Sequence, residues 1–150
     1  MQRLSVTNLW SYNNFLGTEY RALLKDPSFI SLVGGNVPEV LNPSSDAFYI
    51  SSYTTGIEFK FERKTERLIA VVVSNSSFYA GDLRLLTNRK QVLSILGNPN
   101  HHRPEKTIPV LGCTGAMDEY LDSRGVATQV VYEIGSFDIA AVHYQMKTHA

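Results

Sequence analysis

Residues 87–99 read T-N-R-K-Q-V-L-S-I-L-G-N-P, a short helix with both ends written into it. Thr87 carries a hydroxyl able to accept one of the backbone N–H groups that a helix start leaves without a partner. Val92, Ile95 and Leu96 recur at i, i+3 and i+4, with Leu93 beside them, and form one apolar stripe. Gly97 suits the left-handed conformation just past a helix end, and Pro99 blocks continuation. No catalytic group lies in the stretch. It separates a segment of helices then strands from a second run of strands, and so reads as the hinge between two similar halves.

Working outward, Phe15, Leu16, Tyr20, Leu23 and Leu24 predict a helix over 11–25, with Gly17 inside it. A second short helix follows, capped by Asp26, opened by Pro27 and stopped at Gly34-Gly35. Residues 36–45 hold two prolines and read as loop. Then the period changes to two. Phe48 to Tyr53 is strand-like. Ile57, Phe59 and Phe61 alternate with Glu58, Lys60 and Glu62, the pattern of a half-buried strand. Leu68 to Val73 is a continuous apolar run, as in a central strand. Two tight turns join the three strands, which predicts an antiparallel meander.

Beyond the hinge, 98–115 reads as a long loop with Pro99, Pro104 and Pro109. Loops of that length inside a compact fold are often functional. Strands then return at 117–121, 126–133 and 137–146. The halves can be laid over each other: Ser31 to Gly34 on Ser94 to Gly97, Asp46 to Tyr49 on Asp118 to Tyr120, Ile57 to Phe61 on Thr128 to Tyr132, and Leu68 to Val71 on Ile139 to Val142. The expected fold is α+β: two helix-plus-meander units within residues 1–150, spanning about 11–74 and 87–146. They form one sheet or two packed sheets under short helices.

The 14 basic and 14 acidic residues cancel, so no global field draws the chain to nucleic acid or a membrane, and neither is expected as a partner. The N-terminus lacks the long apolar core of a signal peptide, no apolar run reaches spanning length, and there is one cysteine. The expectation is a cytoplasmic protein. No cofactor motif occurs. His101 and His102 are adjacent and Cys113 lies eleven residues on, which matches no zinc spacing, so no metal is expected. Gly112-Cys113-Thr114-Gly115 lacks the helix start that would activate a thiol. The functional expectation falls on Asp118, Glu119, Tyr120 and Asp122, with Asp46, Tyr49 and Tyr53 as their counterparts. Asp118, Tyr120 and Asp122 alternate onto one strand face, and an acid-tyrosine-acid face suits a protein interface.

The run from L-I-A-V-V-V at 68–73 through the 87–99 helix, M-D-E-Y-L-D at 117–122, G-V-A-T-Q-V-V-Y-E at 125–133 and D-I-A-A-V-H-Y at 138–144 resembles small bacterial immunity proteins. These are the immunity proteins of pyocin-type bacteriocins and polymorphic toxin systems. The matched positions are Arg89, Val92, Leu96, Gly97, Pro99, Asp118, Tyr120, Gly125, Tyr132, Ile139 and Val142, mostly caps, glycines and core. The helix pattern is also similar to that of small outer-membrane assembly lipoproteins. The resemblance implies a stoichiometric inhibitor of a cognate protein toxin acting in the cytoplasm, such as a nuclease, with no catalytic residue. The alternatives are a non-catalytic accessory or assembly protein and, behind it, a small enzyme using the 98–115 loop and the carboxylates.

Overall fold

A computed structural model describes residues 12–33, 46–52 and 55–147. The expected stop at Gly34-Gly35, the 36–45 loop and Tyr53 lie outside them. The chain forms α1 (Tyr12–Phe15), α2 (Tyr20–Leu23), α3 (Pro27–Val33), β1 (Ala47–Ser52), β2 (Ile57–Glu62) and β3 (Leu68–Val73). Two 3₁₀ turns follow at Ser76–Phe78 and Gly81–Leu85. Then come α4 (Arg89–Leu96), β4 (His101–Arg103), β5 (Lys106–Ile108), β6 (Gly112–Thr114), β7 (Met117–Leu121), β8 (Val126–Tyr132) and β9 (Ile139–Met146).

The two expected meanders make one continuous antiparallel sheet in the order β1-β2-β3-β9-β8-β7-β4. They join edge to edge through their last strands, β3 and β9, with Val71 opposite Tyr144 and Val73 opposite Val142. Each outer strand, β1 and β4, is an edge. Strands β5 and β6 form a separate two-stranded ribbon within the expected loop.

The halves repeat their hydrogen bonds closely. Thr18 O accepts Leu68 N at 3.0 Å, and Thr87 O accepts Ile139 N at 2.8 Å. Tyr20 N donates to Glu66 O, and Arg89 N to Phe137 O. Glu66 and Phe137 both have φ of 60°. Register shifts fall at Lys60/Phe61 and at Val131/Tyr132. In this frame α2 corresponds to α4, and buried Leu23 to buried Val92. On this correspondence Ser94 to Gly97, the end of α4, fall on Lys25 to Ser28 and not on Ser31 to Val33. Ile50, opposite Phe59, answers to Asp118, opposite Val130.

Two local expectations change. The helix expected over 11–25 is two turns, α1 and α2, because Gly17 N donates to Leu68 O and Thr18 O accepts Leu68 N, so the chain between them pairs with β3. The cap of α4 is Asn88, not Thr87. Thr87 is held to β9, which keeps the chain extended through Asn88, whose Oδ1 accepts Gln91 N at 3.0 Å. Gln91 Oε1 reaches back to Thr87 N at 2.7 Å, a reciprocal arrangement that satisfies two otherwise orphaned donors. Gly97 ends the helix with φ of 81°, where a side chain would be strained.

The core lies between the helices and one face of the sheet. Phe48 stacks on Phe61 at 4.9 Å, and Phe29 meets Phe59 edge-on at 5.0 Å. Tyr12, Phe29, Phe59, Phe61, Leu68 and Val71 are essentially buried. Burying one such side chain contributes about 1.5–3 kcal/mol. Of the expected α4 stripe only Val92 is fully buried, whereas Ile95 is 54% exposed and Leu96 lies at the helix end. The opposite face carries a row across all seven strands that is polar except at Val72: Ser51, Glu58, Val72, His143, Gln129, Glu119 and His101.

Candidate functional site

In β7, Asp118 and Tyr120 share one face and Glu119 lies on the other, as the alternation predicts. Asp118 faces the helix layer and is fully buried. Arg89, the first residue of α4, donates to it twice: Nε to Oδ2 at 2.9 Å and Nη2 to Oδ1 at 3.2 Å. Tyr132 OH donates to Oδ2 at 2.8 Å. His102 Nδ1, on β4, lies 2.7 Å from Oδ1. A carboxylate only accepts, so His102 donates from Nδ1, and the four lone-pair positions of Asp118 are filled. Burial pushes the Asp118 pKa up, but the hydrogen bonds from Arg89, Tyr132 and His102 and the Arg89 charge outweigh it, and the net value lies below the ordinary carboxylate.

The same place in the first half is apolar. Tyr20, Ile50 and Phe61 stand where Arg89, Asp118 and Tyr132 stand, and Tyr20 meets Phe61 edge-on at 5.4 Å. The repeat thus holds a charged pin in one half and an aromatic cluster in the other. The pin fastens the start of α4 to β4, β7 and β8. It ties down the base of the ribbon, which begins at Lys106, four residues after His102.

Glu119 lies on the other face of the sheet and is 3% exposed. Its Oε2 accepts Gln129 Nε2 at 2.7 Å and faces Lys147 Nζ at 3.4 Å. Tyr120 is half-buried and donates to Gly97 O at 2.9 Å. Asp122 shapes the β7–β8 turn, its Oδ1 accepting Arg124 N and Val126 N. Asp46 is exposed at the start of β1, and Tyr49 sits on the polar face opposite Lys60. Asp118 and Glu119 are thus engaged inside the fold, and the six of the expected residues that are described do not converge on one patch.

The 98–115 segment, expected as loop, instead carries β4 and the β5–β6 ribbon. Ile108-Pro109-Val110-Leu111 closes it as a tight turn, with Leu111 N donating to Ile108 O at 3.0 Å. Proline suits the second position of such a turn. The third takes positive φ and favours glycine, yet here it is Val110 at 71°. A β-branched residue in that conformation costs on the order of 1–2 kcal/mol. Val110 is wholly exposed and Leu111 is 81% exposed. Below the tip, Lys106 and Arg103 are exposed, Arg103 Nη2 donates to Gly115 O, and Glu105 Oε2 accepts Gly135 N at 2.6 Å. A Cβ at Gly115 would lie 1.9 Å from Tyr132 O, so only glycine lets the ribbon rejoin the sheet there. Cys113 is exposed on the ribbon, and Thr107 Oγ1 lies 3.5 Å from its Sγ. Among the described residues no three metal-ligating side chains converge.

No protein-family profile and no curated protein matches the sequence. Some solved structures are similar to the chain. An extracellular protein containing a SCP domain from Bacillus anthracis matches with a TM-score of 0.52 at 11% identity, over 97% of this chain and 47% of that one. A cysteine-rich secretory protein from Staphylococcus aureus matches at 0.49 and 12% identity, over 89% and 44%. A DUF4309 family protein from Bacillus subtilis matches at 0.44 and 13% identity, over 73% and 71%. This chain spans less than half the length of the first two.

Proposed function

We propose that this chain is a non-catalytic binding protein of the immunity type, which inhibits a cognate protein toxin by inserting the ribbon tip into an apolar pocket of it. The observation that supports this reading is the tip itself. Val110 and Leu111 expose apolar surface and Val110 holds a strained backbone, and neither side chain is buried in the fold. Exposed, rigidly presented apolar anchors are the usual source of affinity at protein interfaces. The Arg89–Asp118 pin favours the same reading over an enzyme, because Asp118 has no lone pair left for a reacting proton. The basic flank of Arg103 and Lys106 suits an acidic rim on the partner.

Co-expression with the toxin frame encoded beside the gene tests it. The wild-type chain should restore growth, and a Val110→Asp/Leu111→Asp chain that remains soluble should not. No protection by the wild type refutes the reading. A second reading, an accessory module, is favoured by one observation: the fold occurs as less than half of a longer extracellular protein. The toxin reading places the chain in the cytoplasm and the accessory reading places it outside, which cell fractionation separates.

A further inference from the structure

The outer side of β1 is open where its counterpart in the second half is paired. On the repeat, Tyr49, Ile50 and Ser51 stand where Met117, Asp118 and Glu119 stand, opposite Lys60, Phe59 and Glu58 in one half and Val131, Val130 and Gln129 in the other. Met117, Asp118 and Glu119 are the residues that β4 covers, antiparallel, on the far side of β7. Glu119 O accepts Asn100 N there at 2.8 Å. Among the described residues no strand takes that place beside Tyr49 and Ser51.

The ladder fixes which backbone groups face outward. Asp46 O accepts Arg63 N at 2.8 Å, so bonds to β2 recur at every second residue from Asp46, through Phe48, Ile50 and Ser52. Tyr49 and Ser51 therefore point their N–H and C=O groups away from β2. The strand reads A-F-Y-I-S-S, with none of the charges or prolines that usually blunt an edge. The other edge, β4, is three residues long and reads H-H-R.

We infer that the β1 edge pairs with a second copy of this chain, the two β1 strands joining antiparallel about a two-fold axis at Ile50. Tyr49 of each copy then lies opposite Ser51 of the other, and each such pair exchanges both N–H···O bonds. A two-fold contact sets a strand against itself, and β1 carries no charge to repel its copy. The neighbouring strand selects the register. Lys60 stands beside Tyr49 and Glu58 beside Ser51. An axis at Ile50 runs the Lys60 row of one copy into the Glu58 row of the other. An axis one residue to either side would set Lys60 toward Lys60 or Glu58 toward Glu58. The chain already uses such a contact internally: β3 and its counterpart β9 pair antiparallel with the equivalent residues Val72 and His143 opposite each other. The ribbon lies at the other edge of the sheet, so the inference does not rest on the proposed toxin partner.

Sedimentation equilibrium of the full chain up to millimolar concentration tests it, with hydrogen exchange followed at the Tyr49 and Ser51 amides. The chain should reach the mass of two copies, and both amides should gain protection as concentration rises. Ser51→Pro removes an outward N–H and no bond to β2, so it should leave the thermal melt in place and keep the chain monomeric. Tyr49→Lys/Ser51→Lys sets like charges opposite each other and should weaken association about tenfold, whereas Tyr49→Lys/Ser51→Glu sets opposite charges there and should restore it. If Ser51→Pro does not fold, the two charge variants decide. A chain that stays monomeric at every concentration overturns the inference. So does a dimer indifferent to Tyr49→Lys/Ser51→Lys, or protection at Tyr49 and Ser51 that arises only when a different protein is added.

Discussion

Replacing Asp118 with alanine should expose how much of this fold rests on one buried charge. The carboxylate is inaccessible and receives four hydrogen bonds, two of them from Arg89. Its loss leaves the guanidinium, whose side chain is 28% exposed, and the buried Tyr132 hydroxyl without their acceptor. Removing one partner of a buried ion pair costs about 3–5 kcal/mol, and the partial access of Arg89 to water puts this case near 3 kcal/mol. With a urea m-value near 2 kcal/mol/M, the unfolding midpoint should fall by about 1.5 M. The repeat supplies the control. Arg89→Tyr, Asp118→Ile and Tyr132→Phe together copy the first half, where the same positions are apolar. Well-packed apolar replacements of buried pairs are often neutral or stabilising. The triple variant should therefore unfold within about 1 kcal/mol of wild type, on the scale of a volume-conserving core swap. A single variant that loses less than about 1 kcal/mol, or a triple variant that falls as far as the single, would refute the reasoning, since either would mean that the pin is not a desolvated ion pair.

Three further outcomes follow from the same structure. Burial, with Arg103 nearby and Glu58 opposing, holds the His143 pKa below its ordinary 6.5. The folded state thus disfavours the charged form. Stability should be full above about pH 6.5 and decline as pH falls below it, and His143→Gln should flatten that decline in urea titrations at several pH values. Val110→Gly should relieve about 1 kcal/mol of turn strain and slow hydrogen exchange at Leu111 N, while weakening partner binding. Gly115→Ala should destabilise by about 1–3 kcal/mol, because the clash is with the Tyr132 backbone and not with a movable side chain. A thermal melt unchanged from wild type would contradict it.

The strands were legible because their pattern is local. Alternation at Ile57 to Glu62 and the apolar run at Leu68 to Val73 place those elements correctly, as do the later strands of the second half. What escaped was set by distant partners. Thr87 looks like a cap until β9 binds its carbonyl, and residues 11–25 look like one helix until Leu68 pairs with Gly17 and Thr18. The burial of Asp118 follows from a strand register that puts it where the first half has Ile50. Nothing at Asp118 itself reveals that. The proline at 109 gave a turn signal, but Val110 hid it, because a valine at the third position of such a turn runs against the usual chemistry. That same violation is the local feature on which the proposed role of the ribbon rests.

The claim that the ribbon tip engages a protein partner is tested most directly by a titration read at Cys113, the only cysteine in the chain and exposed on the ribbon. The protein carrying a maleimide dye at that position is titrated with the purified toxin domain that the proposed function expects to be encoded beside its gene. The account predicts a saturable fluorescence change at one partner per chain. Val110→Gly/Leu111→Ser should bind at least about 30-fold more weakly, as the loss of roughly 2 kcal/mol at a hot spot requires. A complex whose affinity is indifferent to those two substitutions, or no complex at all, would contradict it.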